Sequence, residues 1–160
     1  LKAWEELSDI PLKIAGDGVL QKELKGWVAR MPNVEYLGSL KNADAKELIA
    51  QARFLVFPSE CYEGFPMVLL EARSVGTPVL AAKQGAAIEI VGSHEKFGVL
   101  FSVANHQSLV KKAKWLWEST SIVDIMSANA RREYEEKYTP EKNYKQLMSI
   151  YNEILFSTLH

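Results

Sequence analysis

The chain alternates short apolar runs with amphipathic stretches, and glycine or proline marks most of the changes. This rhythm constrains the fold more than any other feature. After an opening helical segment, 11–15 reads as a strand closed by Gly16-Asp17-Gly18. A helical stretch from about Val19 to Ala29 follows, with Leu20, Leu24, Trp27 and Val28 on one face. Val34-Glu35-Tyr36-Leu37 is a short strand ending at Gly38. Ala45, Leu48, Ile49 and Ala52 mark a helix whose start is signalled by Asn42 and Asp44. Phe54-Leu55-Val56-Phe57 is a continuous apolar run stopped by Pro58, the pattern of a parallel strand buried on both faces.

A helix from about Pro66 to Val75 comes next and ends at Gly76-Thr77-Pro78. Val79-Leu80-Ala81-Ala82 is another strand, then a short helix is expected around Ile88 to Val91, then a strand at Gly98-Val99-Leu100-Phe101. Three helices close the chain. The first has Leu109, Val110, Ala113, Leu116 and Trp117 on its buried face, and the second spans roughly Ile122 to Tyr138. The third starts at Thr139-Pro140, a cap followed by proline at the first helical position. Strands and helices in this order predict an α/β, Rossmann-like, doubly wound parallel sheet with helices on both faces. Ligands of such sheets bind beyond the carboxyl ends of the strands. The loops on that edge are 16–18, 38–41, 58–65, 82–87 and the stretch after Phe101.

At 160 residues the chain is read as one domain. A net charge of −1 offers no positive excess to neutralise phosphates along a nucleic acid. Cys61 is the only cysteine, so no internal disulfide forms, which fits a reducing compartment. The apolar runs are too short for a transmembrane span. The chain opens at Leu1 in a helical pattern, with Leu1, Ala3, Trp4 and Leu7 on one face. That opening is read as a piece of a larger protein, or else a processed start.

The segment Glu63-Gly64-Phe65-Pro66-Met67-Val68-Leu69-Leu70-Glu71 lies on the carboxyl edge. Glu63 falls in the loop after a predicted strand, and Glu71 inside the following helix. Pro66 suits the first helical turn, so the N–H groups of Met67, Val68 and Leu69 are expected at the free helix end, which favours an anion. Glu71 sits among apolar residues, and a carboxylate so placed needs hydrogen-bond partners. Vicinal hydroxyls of a ligand would supply them. Alternatively, Glu63 is solvated and Glu71 caps a neighbouring loop.

Other motifs fall short. Gly16-Asp17-Gly18 lacks the third glycine of the dinucleotide fingerprint; Gln21 stands there. His94, His106 and His160 are scattered, and no Asp-x-Asp occurs, so no protein-held metal is expected. Cys61 has no histidine nearby in sequence to activate it.

Pro58-Ser59, Glu63-Gly64-Phe65, Leu70-Glu71-Ala72, Gly76-Thr77-Pro78-Val79, Gly85 and Glu89 follow one another in an order that resembles the donor-binding half of the GT-B retaining glycosyltransferases of family 4 type. The resemblance covers nearly the whole chain. It implies that Glu71 binds the ribose hydroxyls of a nucleotide sugar and that Glu63 contacts the donor sugar as the catalytic-centre carboxylate. It implies that Gly64 and the backbone around Phe65, Pro66, Met67 and Val68 hold the diphosphate and sugar. Tyr36, Leu37 and Gly38 would lie near the base, and Gly16 near the nucleotide. No cofactor or metal is expected beyond the nucleoside-diphosphate sugar.

The resemblance also implies missing parts: a preceding strand with a Gly-Arg and a downstream Lys that clamp the pyrophosphate, and an acceptor-binding N-terminal domain. The isolated chain is therefore expected to be inactive, and a missing edge strand and an apolar last helix to favour a homodimer. Locally, Ala86 stands where a second glycine is common after Gly85, and Pro66 where a small residue is common. The expected acceptor is a saccharide or lipid-linked saccharide, met through the missing domain. The expected location is the cytoplasm, or the membrane periphery for the full-length enzyme. Two competing readings are a non-catalytic nucleotide-binding or interaction module and a GT-B-fold nucleotide-sugar epimerase.

Overall fold

Every strand pairing among the described residues is parallel. The computed structural model describes residues 1–92 and 96–157; His94 and His160 lie outside them. In chain order the elements are α1 (Lys2–Glu5), β1 (Leu12–Ala15), α2 (Gln21–Val28), β2 (Val34–Gly38), α3 (Asn42–Gln51), β3 (Leu55–Phe57), α4 (Met67–Val75), β4 (Val79–Ala82), α5 (Ala86–Val91), β5 (Gly98–Phe101), α6 (His106–Glu118), α7 (Thr120–Lys137) and α8 (Pro140–Ser157). The alternation read from the sequence is the alternation observed, with ends differing by a few residues.

The strands form a two-stranded sheet, β1-β2, and a three-stranded sheet, β3-β4-β5. Side chains of β4 alternate between two cores. Leu80 and Ala82 join Trp4, Leu7, Val99, Phe101 and Leu116 in one core, while Val79 and Ala81 join Ile49, Leu69, Ala72 and Ile90 in the other. Leu12 and Ile14 of β1, with Phe54 and Val56 at β3, pack against the first core, so that core serves both sheets.

Several expectations need correction. Phe54–Phe57 meets a core on each face, Phe54 and Val56 on one and Leu55 and Phe57 on the other, but its residues are only half-buried, because among the described residues β3 pairs with β4 alone. Val19 and Leu20 lie outside α2 and are exposed, so Leu20 is not on its packed face. α3 does start at Asn42 with Asp44 in its first turn, as read, although Lys41 stands at the cap position and no side chain caps the helix. Helices do not cover both faces of β1 either, since Lys13 and Ala15 are exposed opposite Leu12 and Ile14. Among the described residues β1 pairs only with β2, and β3 only with β4.

α4 packs on α3 and α7 and is closed by Gly76 in the left-handed conformation, as its place after the last turn requires. The cap read at Thr139 is present: its Oγ1 accepts the Lys142 N–H at 3.3 Å. Beyond it, Tyr144, Leu147, Met148, Ile150, Tyr151, Ile154 and Leu155 of α8 are all exposed.

Candidate functional site

The loop from β3 to α4 begins at Pro58, where the proline ends the strand, and carries Glu63. Glu63 is exposed, and its carboxylate accepts a hydrogen bond from Ser59 Oγ at 2.8 Å. Ser59 Oγ also accepts from the Cys61 N–H at 3.4 Å, so one hydroxyl organises both the turn and the carboxylate. Across the loop, the Gln84 side chain donates to the Glu60 carbonyl. Gly85 follows with φ 51° and ψ −143°, a conformation closed to other residues, and a side chain there would meet Tyr62 and the Glu63 carbonyl at 3.7 Å. The β3–α4 and β4–α5 loops therefore form one wall.

α4 rises from this wall. Pro66 is buried and sits at the cap position, not inside the first turn as expected, with ψ 105°. The Leu69 N–H, expected to be free, donates to the Pro66 carbonyl at 3.0 Å. The N–H groups of Met67 and Val68 keep no partner among the described residues. Gly64, Phe65 and Met67 are exposed, and Val68 packs against the core with Leu69. Glu71 follows one turn on from Met67. It is half-buried, and its carboxylate has no hydrogen-bond or ion-pair partner among the described residues; only its backbone carbonyl is used, by Ser74 Oγ at 2.7 Å. It caps no neighbouring loop.

A second group lies at the carboxyl ends of β1 and β2. The Tyr36 hydroxyl donates to the Gly16 carbonyl at 2.8 Å and accepts from Gln21 Nε2 at 3.0 Å. The Gly16 N–H donates to the Gly38 carbonyl at 2.8 Å. Gly16 (φ 130°) and Gly38 (φ 70°) supply conformations that favour glycine. Leu37 is half-buried beside them, where the β1–β2 register shifts. A cavity of 510 Å³ opens between this knot, the start of α1 and the α2 face carrying Leu24 and Trp27. No hydrogen bond among the described residues joins this group to the Glu63–Glu71 group.

Sequence reasoning missed the roles of Ser59, Gln84 and Gln21. Gln21 counted only as a misplaced glycine, yet it holds the tyrosine that holds the glycine turn. The four-residue spacing of Ser59 and Glu63 within one loop was the available signal for the first pair. Among the described residues, no group of three or more His, Cys, Asp or Glu side chains is placed to hold a metal ion.

The model of the family described as "Glycosyl transferases group 1" matches residues 1–133. The chain belongs to this family. This group 1 glycosyltransferase domain is 29% identical over 135 residues to the D-rhamnosyltransferase WbpZ of Pseudomonas aeruginosa, covering 82% of this chain and 35% of that protein. It is 26% identical to the O-antigen chain mannosyltransferase C of Escherichia coli, covering 95% of this chain and 42% of that protein. Among solved structures, Anabaena HepE in complex with UDP superposes with a TM-score of 0.83 at 24% identity, covering 94% of this chain and 44% of that one. Sucrose-phosphate synthase from Thermosynechococcus elongatus gives 0.81 at 21% identity, covering 96% and 41%. The fold is thus that of the GT-B glycosyltransferases. The chain spans less than half the length of these relatives. No helix among the described residues is long and apolar enough to cross a membrane.

Proposed function

We propose that this group 1 domain binds a nucleoside-diphosphate sugar for retaining transfer of a hexosyl-type group to a saccharide or lipid-linked acceptor. The carrying observation is Glu71: a half-buried carboxylate without a protein partner, one turn beyond a helix start with two free N–H groups. A carboxylate in that state suits a diol, whose two hydroxyls both donate to it, and a ribose presents such a diol. The adjoining N–H groups of Met67 and Val68 suit the diphosphate, with Gly64 and the backbone of Phe65 and Pro66 lining its approach. Glu63, aimed by Ser59, reaches hydroxyls of the donor sugar. Gly16, Tyr36, Leu37 and Gly38 take the base end.

In transfer, the bond from the anomeric carbon to the diphosphate breaks, a bond to the acceptor oxygen forms on the same face, and the acceptor's hydroxyl proton passes to the leaving diphosphate. Charge develops on the leaving diphosphate, and oriented N–H donors stabilise it there. The WbpZ and O-antigen relatives support a saccharide acceptor, and the complex of HepE with UDP supports a uridine donor. The test is calorimetric titration of the full-length protein with UDP, GDP and ADP and their common sugars, with Glu71→Ala beside the parent. One nucleotide should bind, at least about tenfold more weakly in the variant, since two charge-assisted hydrogen bonds are lost. Equal affinity in both proteins, or no binding by any nucleotide, would sink the reading.

A further inference from the structure

Resting on the transfer reading above, we propose that Gln84, in the loop after β4, is a positioning residue: it fixes Glu63 for turnover and takes no part in holding the donor. The two carboxylates of the site are held by different means. Glu71 belongs to α4, whose Leu69 and Ala72 are fully buried and which packs on α3 and α7. Core packing therefore sets where Glu71 stands. Glu63 has no such seat. Residues 60–65 are all exposed, and none of them joins either core. Exposed backbone without apolar burial is the kind that opens first.

Hydrogen bonds hold this loop instead. Ser59 Oγ donates to Glu63 and accepts from the Cys61 N–H, and the Glu63 N–H donates to the Cys61 carbonyl at 3.1 Å. These bonds are internal. They shape the turn without fixing it to the sheet. Among the described residues, one hydrogen bond joins 60–65 to a part of the chain outside the β3–α4 loop: Gln84 Nε2 donates to the Glu60 carbonyl. A carbonyl only accepts, so the NH₂ end of the Gln84 amide must face it. Next to it, a side-chain carbon added at Gly85 would stand 3.7 Å from both Tyr62 Cα and the Glu63 carbonyl oxygen, so the two loops run against each other there.

The far end of this tie is rigid. Gln84 stands two residues beyond Ala82, the last residue of β4, a strand buried at every position. The Gln84 N–H donates to the Ala82 carbonyl at 2.8 Å, and the Lys83 N–H to the Phe101 carbonyl at 2.9 Å. The base of the side chain is thus tied to the sheet while its tip holds the loop. A carboxylate that meets a reacting sugar must be placed closely, since a displacement of about 1 Å costs on the order of a hundredfold in rate. Donor affinity resides instead on α4, to which no hydrogen bond among the described residues joins Gln84. Loss of the amide should therefore slow turnover and spare donor binding.

Gln84→Met in the full-length protein keeps the length of the side chain and removes its donor. Release of nucleoside diphosphate from UDP-glucose, GDP-mannose and ADP-glucose, with water as acceptor, is measured in parent and variant. The variant should lose roughly tenfold to a hundredfold in kcat, with KM for the nucleotide sugar within about twofold of the parent. In the ligand-free protein, NMR order parameters of the Cys61, Tyr62 and Gly64 amides should fall from about 0.85 to below about 0.6, with those of α4 unchanged. A raised KM at unchanged kcat would make Gln84 a donor contact, and unchanged kcat or unchanged order parameters would make the tie idle. Each of these overturns the proposal and leaves the transfer reading standing. A parent protein that releases nothing from any of the three sugars sinks the transfer reading, and this proposal with it.

Discussion

β4 and β1 are both four-residue strands, yet every residue of β4 is buried while β1 alternates between half-buried and exposed. β4 has a partner on each edge and a core on each face. β1 has one of each. Local polarity does not account for the contrast, since Leu-Lys-Ile-Ala and Val-Leu-Ala-Ala differ in polarity only at Lys13. Neighbours set burial, and the three-stranded region has more of them. The same division runs through the candidate site. The Glu63–Glu71 half grows from the well-packed sheet. The Gly16–Tyr36 half hangs on the sparsely packed one and is held by a tyrosine hydroxyl.

The sharpest test of this contrast is truncation. Leu80→Ala, at 0% exposure, should cost about 3–4 kcal/mol in urea unfolding, and Ile14→Ala roughly half of that. Equal losses would erase the distinction between the sheets. Next comes Arg73, a cation only 3% exposed in the better-packed region. Its guanidinium donates to the Ile90 carbonyl and lies 4.3 Å from the Phe97 ring centroid, linking α4 to the end of α5. Arg73→Ala should cost on the order of 2–3 kcal/mol by stranding a buried carbonyl and emptying a cation–π contact. A loss below about 0.5 kcal/mol would show that link to be idle.

In the other half, Tyr36→Phe removes the hydroxyl that fixes Gly16. About 1 kcal/mol of stability should go, visible by thermal shift, and a few-fold of the nucleotide affinity proposed above, visible by titration. If affinity holds, the glycine turn needs no latch. The smallest effect concerns Glu133, on α7 against α4. Burial raises its pKa, but the hydrogen bond from Lys137 and the charges of Arg73, Lys96 and Lys137 outweigh that, so the carboxyl stays below its ordinary range. A lowered folded value means the contribution is complete above the ordinary carboxylate range and is lost as pH falls below that range through the lowered folded value. Glu133→Gln should therefore lose up to about 1 kcal/mol at neutral pH and almost nothing in strong acid, by denaturation at several pH values. A pH-independent loss would point to shape instead of charge.

Much of this was legible in the sequence because periodicity and punctuation are local. Gly76 closing α4, Thr139-Pro140 opening α8 and the five strands all follow from residues within a turn of each other. The extent of burial of Phe54–Phe57 was not legible, because an apolar run shows that both faces of a strand accept cover, not whether a partner strand closes each edge. Leu20 failed for a related reason: it fits the α2 stripe by spacing, but the helix starts one residue later and leaves it in solvent. At the site, the acidic pair and the glycine turns were visible as residue types. The bonds from Gln21 to Tyr36 and from Gln84 to the Glu60 carbonyl were not, since they join separate loops that only the sheet brings together.

The joint at Thr139-Pro140 has a consequence for how this chain melts. α8 has no buried residue through Leu155, whereas Trp4, Trp27, Trp115 and Trp117 all sit in the body. An isolated helix of this length frays gradually, while a packed body unfolds at once. Far-ultraviolet ellipticity of the chain should therefore slope downward well before tryptophan fluorescence changes, and two thermometers in one molecule would report two different temperatures.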